Sequence, residues 1–300
     1  MREMSPALRR EADPDLTGNP FGAAFDFTPG AAPSAPVVFA SPHSGSLYPD
    51  DMQAALCVPL LDVRRTEDAF VDELFAGAPA HGAGLIAARY GRSVVDLNRD
   101  PHELDPAMFV DGPPRPCALP TARVEAGLGC LPRVGARGEA IYARRLSRAE
   151  GEARLVHVHD AYHDYLAGRL EALRQEHGFA LLIDCHSMPS VQPGRRGLCD
   201  IVLGDRFGSS ADTRLMARIE RSFRSRGFTV ARNAPYAGGY TTRRYGRPRR
   251  GIHALQVEIN RGLYMDEQRI TRSAGFSSLK QALDLVIADI IEAARLLPGA

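Results

Sequence analysis

The 300-residue sequence predicts an α/β fold, on two observations. Residues 179–190, FALLIDCHSMPS, form a short apolar run closed by Met188 and Pro189, the pattern of a strand buried on both faces. A helix-patterned segment ending at Gly178 precedes it, and this helix-to-strand step is the usual beat of an α/β chain. Ligands in such sheets gather at the carboxyl ends of strands, where His186 is expected. His186 is therefore a candidate metal ligand or acid/base group.

Composition bounds the reading. Hydrophobic content of 44 % and charged content of 24 % suit a soluble globular chain with a sizeable core. The length is about twice the usual domain prior, yet α/β enzymes often use it for one domain. A net charge of +1 proposes neither nucleic acid nor a membrane as partner. Lys280 is the one lysine among 37 basic residues, so arginine count alone is not read as function. Cys57, Cys117, Cys130, Cys185 and Cys199 are scattered with no CxxC pair, which argues against a disulfide framework and against a thiolate zinc site. The first residues lack the apolar core of a signal peptide, and no run approaches membrane-spanning length. A cytoplasmic location is expected, and oligomeric state is not legible.

Residues 1–35 carry Pro, Gly, Asp and Ala without period and read as an irregular N-terminal arm, leaving 36–300 as the folded domain. Residues 36–41, PVVFAS, repeat the strand pattern and end in Pro42, His43, Ser44 and Gly45. Two histidines closing two strands suggest one shared site. Residues 57–75 read as helical, with Val71, Leu74 and Phe75 at helical spacing and Thr66 or Asp68 as a cap. Most acids there belong to a solvated helix start. Residues 87–95 read as a strand ending in Asp96, Leu97, Asn98, Arg99 and Asp100, a polar set that suggests binding chemistry.

Residues 101–137 hold many Pro and Gly, the composition of a long excursion that often covers an active site. Residues 147–175 read as one long amphipathic helix. Its His159-Asp160-Ala161-Tyr162-His163 resembles the helical zinc-protease pattern, but that chemistry needs Glu beside the first His and Asp160 stands there. His163 is expected to pack or to support other groups.

Residues 199–205 follow as strand and turn, 213–226 as helix and 228–232 as strand. Residues 233–246 form a Gly/Tyr/Arg-rich loop whose arginine forks suit an anionic substrate. Residues 253–261 read as an apolar strand bearing Glu258, whose pKa such a setting raises. An amphipathic helix over 276–297 closes the chain.

Six ordered motifs carry a resemblance: SPHSG at 41–45, TEDAFVDELF at 66–75, DLNRDP at 96–101, DCHS at 184–187, NAPYAGGYTTRRYG at 233–246 and QVEINR at 256–261. Over roughly residues 37–267 the chain resembles the N-formylglutamate amidohydrolase family and, more distantly, the aspartoacylase and zinc carboxypeptidase superfamily. The resemblance implies a single-domain mixed twisted sheet flanked by helices, a phosphorylase/hydrolase-like (zinc carboxypeptidase-like) fold, with one zinc per chain at its carboxyl edge. His43 and His186 match the first and last zinc histidines. Superfamily members place Glu three residues after the first; Ser46 stands there, so the carboxylate is expected from Asp68, with Glu67 as the other choice. Asp96 matches the residue that orients the first histidine. Asn98 and Arg99 match the pair that grips a substrate carboxylate, Glu258 matches the general acid/base, and Tyr240, Arg243 and Arg261 are further substrate-binding candidates.

The implied activity is zinc-dependent hydrolysis of the amide of an N-acyl, foremost N-formyl, acidic amino acid, giving formate and glutamate. Alternatives are hydrolysis of another N-acyl amino acid or small amide, non-catalytic binding of acidic ligands, and a metalloprotease using His159 and His163.

Overall fold

The computed structural model of the chain describes residues 19–191 and 199–297. Its strands are β1 (Phe25–Thr28), β2 (Val37–Ser41), β3 (Gly84–Ala88), β4 (Ala180–Met188), β5 (Ile201–Gly204), β6 (Val230–Arg232) and β7 (Ile252–Asn260). They form a 7-stranded sheet in the order β1-β3-β2-β4-β7-β5-β6. β3, β2, β4 and β7 run parallel, whereas β1 is antiparallel to β3 and β5 antiparallel to β7. The sheet is therefore mixed, and helices flank it on both faces.

Each face has its own core. On one, Leu181, Ile183 and Cys185 of β4 join Leu255, Val257 and Ile259 of β7 against the helices Thr213–Ser225 and Phe276–Arg295. On the other, Ala180, Leu182 and Ala254 pack on Leu166, Leu170 and Leu173 of the helix Ala161–His177. Strand residues alternate between faces, so this second face continues as Asp184 and His186 on β4 and as Gln256 and Glu258 on β7. Apolar side chains thus give way to polar ones towards the carboxyl ends. β2, β4 and β7 are adjacent and parallel, which gathers their carboxyl ends at one edge, with His186 paired in register with Glu258.

Several sequence expectations are corrected. Phe25–Thr28 is an edge strand rather than part of an irregular arm, because Phe25 and Phe27 alternate onto the second core; residues 1–18 lie outside the described residues. The strand expected over 87–95 is Gly84–Ala88. Val94 and Val95 are apolar because they pack in the second core, beyond a turn in which Val94 N–H donates to Gly91 O. Residues 57–75 hold two short helices, Leu60–Arg64 and Val71–Leu74, interrupted by an acidic turn that ends at left-handed Phe70. Neither Thr66 nor Asp68 caps a helix there.

The long helix is also interrupted. Ser147 caps Arg148–Arg154 through a reciprocal capping box with Glu150, a π-helical stretch Leu155–Asp160 follows, and Ala161–His177 ends at left-handed Gly178. The 233–246 loop contains the helix Tyr240–Tyr245, which buries Tyr240, Thr241, Thr242 and Tyr245. Among the described residues no helix is long and apolar enough to cross a membrane.

Candidate active site

The edge formed by β2, β4 and β7 collects the polar residues that the sequence scattered. His43, Asp68 and His186 are buried and could hold a metal ion: one candidate ligand atom from each lies within 4.8 Å of the others. His43 follows β2 and His186 lies in β4, each placed by its strand. Asp68 comes from the acidic turn, which is pinned to the strand end because Asp68 N–H donates to the His43 carbonyl at 2.9 Å.

Asp68 faces two ways. Its Oδ2 lies 3.3 Å from His43 Nδ1 and 3.0 Å from His186 Nδ1. Its Oδ1 accepts from Ser187 Oγ at 3.1 Å and from Arg261 Nη2 at 2.9 Å. Burial alone would raise this carboxyl, but hydrogen bonds from His186 and His43 and the charges of His43 and Arg261 hold it well below the usual range.

His43 Nε2 lies 2.7 Å from Asp96 Oδ1. That carboxylate accepts the Nε2 proton, which turns the Nδ1 lone pair of neutral His43 towards Asp68. Nδ1 of His43, Nδ1 of His186 and Oδ2 of Asp68 thus converge, and a cation among them would meet all three. The donor set of two imidazoles and one carboxylate is also one that suits zinc. Asp96 is itself secured by Arg92 Nη2 at 2.7 Å and by the Asn98 N–H at 2.9 Å. Burial works to raise Asp96, and the charges of Arg92 and His43 hold it well below its ordinary value.

On His186, Nε2 faces Asp184 Oδ2 at 3.1 Å and Asn98 Nδ2 at 3.2 Å. Burial would lower this imidazole, but the Asp184 charge raises its pKa well above the ordinary value. Glu258, across from His186, accepts from Gln256 Nε2 at 2.6 Å. Burial pushes its carboxyl up to about 8, opposed by the His186 charge.

The remaining candidates divide. Glu67 lies outside the cluster: it accepts from Tyr48 at 2.8 Å and from Arg64 at 3.1 Å. Arg261, expected at the substrate, is only 7 % exposed and is taken up by Asp68, Ser187 and the Arg65 carbonyl. Among the described residues the Arg99 guanidinium donates to the carbonyls of Leu128 and Asn98, and burial lowers its pKa. Arg243 is half exposed, 3.4 Å from Asp100, and stacks on Tyr240, whose hydroxyl accepts from Arg244. Ser46 is exposed.

Sequence reading missed Arg92, Asp184, Ser187 and Gln256. Asp184 and Gln256 stand two residues before His186 and Glu258, so the period of the strand could have found them. Arg92 and Ser187 carry no such signal.

Residues 35–265 match the family model described as N-formylglutamate amidohydrolase. An N-formylglutamate deformylase of Pseudomonas aeruginosa is 33 % identical over 264 residues, 86 % of this chain and 91 % of that protein. One of Pseudomonas putida is 30 % identical over 239 residues, 77 % of this chain and 82 % of that protein. The crystal structure of N-formylglutamate amidohydrolase from Ralstonia eutropha JMP134 superposes with a TM-score of 0.86 at 35 % identity, covering 91 % of this chain and 99 % of that one. A gene product of Agrobacterium tumefaciens shares the fold at a TM-score of 0.63 and 21 % identity, covering 90 % of this chain and 96 % of that one.

Proposed function

This chain belongs to the N-formylglutamate amidohydrolase family, and from that premise we propose that it cleaves N-formyl-L-glutamate to formate and glutamate with zinc in the His43, Asp68 and His186 cluster. As a member of that family it is a hydrolase of linear amides. The observation that carries the fuller reading is the convergence of those three residues beside Glu258 at the carboxyl edge of the sheet. A zinc ion held there supplies Lewis acidity towards an amide carbonyl and acidifies water.

The chain's own residues do the rest. Asp96 orients His43, while Asp184 and Asn98 face the outer nitrogen of His186. Glu258 takes a proton from the water that attacks the formyl carbon, and delivers it to the nitrogen as the C–N bond breaks. Burial raises its carboxyl pKa and a nearby cation would lower it, and these opposed pulls suit a group that must both accept and return a proton. Among the described residues the Arg99 guanidinium is hydrogen-bonded to carbonyl oxygens and to no carboxylate, which suits it to a substrate carboxylate. Asn98 reaches the cluster through His186, and Tyr240 and Arg243, stacked on each other, remain candidates for the substrate. Arg261 is assigned to Asp68 instead of the substrate.

The test is formate release from N-formyl-L-glutamate by purified protein, with N-acetyl-L-glutamate and N-formyl-L-leucine as controls and metal content measured in parallel. Activity selective for the formyl acidic substrate, with about one zinc per chain, is expected. A zinc-loaded protein inert towards all three overturns the proposed reaction.

A further inference from the structure

We propose that His159 and His163 are a two-point clamp on the turn at residues 96–99, and thereby positioning residues for the centre proposed above, on which this inference rests. The turn is closed by Arg99 N–H donating to Asp96 O at 3.1 Å. Such a turn leaves further carbonyls without a backbone partner, and buried carbonyls need donors. Side chains supply them. His163 Nε2–H donates to Leu97 O at 2.8 Å and His159 Nε2–H to Arg99 O at 3.0 Å, while Arg99 Nη1 caps Asn98 O at 3.0 Å.

A carbonyl can only accept, so both Nε2 atoms carry protons and neither offers a lone pair to a metal. The Nδ1 atoms face different partners, Asp160 Oδ1 at 3.4 Å from His159 and the Tyr245 hydroxyl at 2.9 Å from His163, so the pair does not form the shared site that the helical zinc-protease reading requires. Both imidazoles are 1 % exposed, with ring centroids 4.5 Å apart. Burial and the neighbouring His159 charge keep the His163 pKa well below its ordinary value, which favours the neutral ring. The Tyr245 hydroxyl lies 2.9 Å from that ring's other nitrogen and also donates to the His163 carbonyl at 3.0 Å, so it holds this residue at two points.

Like Asp68, the clamped turn touches both proposed metal histidines. Asp96 Oδ1 meets His43 and Asn98 Nδ2 meets His186. Asn98 Oδ1 in turn accepts from Thr241 N–H at 2.9 Å, in the short helix that also carries Tyr245. The contacts run from His163 through Leu97 and Asn98 to Thr241, then through Tyr245 back to His163. Gly239 leaves room for this: a Cβ there would lie 2.4 Å from the Asn98 amide. His159 sits in the π-helical stretch Leu155–Asp160, a geometry frequent at functional sites.

The experiment compares His159→Leu and His163→Leu, which fill space without donating, with His159→Gln and His163→Gln, which retain a donor. Zinc affinity is read by chelator competition, and turn order by amide hydrogen exchange at residues 96–99, which needs no metal. The leucine variants are expected to lose about tenfold in zinc affinity, the lower end for partners of ligating histidines, and to exchange faster. The glutamine variants should stay near wild type. Tyr245→Phe, which keeps the ring, should move both readouts the same way and covers the case in which a leucine variant fails to fold. Leucine and glutamine variants with equal affinity and exchange overturn the clamp, even if wild type deformylates. A wild type that hydrolyses no N-acyl amino acid overturns the proposed reaction alone, because exchange still reports on the turn.

Discussion

Arg261 Nη2 donates to Asp68 Oδ1 at 2.9 Å, joining residues 193 apart in sequence. The bond gives Arg261 a different task from the one its motif suggests. It holds the carboxylate between two histidines, with Ser187 bridging the pair: Ser187 Oγ accepts from Arg261 Nε and donates to Asp68.

Replacing Arg261 with Gln should therefore act on the metal. Zinc affinity is expected to fall 10- to 100-fold, the scale for partners of ligands, with a smaller change in KM. Arg99→Ala should do the reverse, raising KM for N-formyl-L-glutamate and leaving zinc in place. Chelator competition and steady-state kinetics separate the two. An Arg261→Gln protein with normal zinc and a raised KM returns this arginine to the substrate.

The adjacent acids should part company. Asp68→Asn is expected to abolish stoichiometric zinc. Glu67→Gln should keep the metal and cost roughly 1–3 kcal/mol of stability, since a buried carboxylate loses charge-assisted bonds to Tyr48 and Arg64. Metal analysis and thermal unfolding read these outcomes. Loss of zinc from the Glu67 variant alone would reverse the assignment.

Glu258→Gln should preserve zinc and substrate binding while kcat drops by roughly 10²-fold or more. Single-turnover kinetics with N-formyl-L-glutamate check this, and turnover near the wild-type rate removes Glu258 from the proton transfer.

Glu258 also predicts how metal-free protein responds to pH. Its folded pKa, about 8, lies above the ordinary carboxylate value of 4.5. The folded state therefore holds its proton more tightly, which stabilises fully below about pH 4.5 and is lost as pH rises through about 8. Between these limits metal-free wild type should lose stability relative to Glu258→Gln, by at most about 1.4 kcal/mol per pH unit. A nearby dication favours the carboxylate, so saturating zinc should flatten the difference. Denaturant titrations from pH 5 to 8 measure it, and parallel curves without metal would contradict a buried, protonated Glu258.

The sequence alone determined the α/β class and most elements of the sheet, because an apolar run ended by a breaker reports burial directly. The same signal marked His43 and His186, whose place at strand ends is local. Residues 87–95 misled for the same reason: Val94 and Val95 are buried by packing, and burial does not reveal whether the backbone is extended. Tertiary structure decided everything that depends on where a side chain points. Glu67 and Asp68 are neighbours with the same charge, and only the turn before left-handed Phe70 sends one towards Arg64 and the other between the histidines. Arg261 was legible as an arginine beside a functional strand. Its partner lies 193 residues away, and no local pattern encodes a bond formed when the sheet brings the ends of β2, β4 and β7 to one edge.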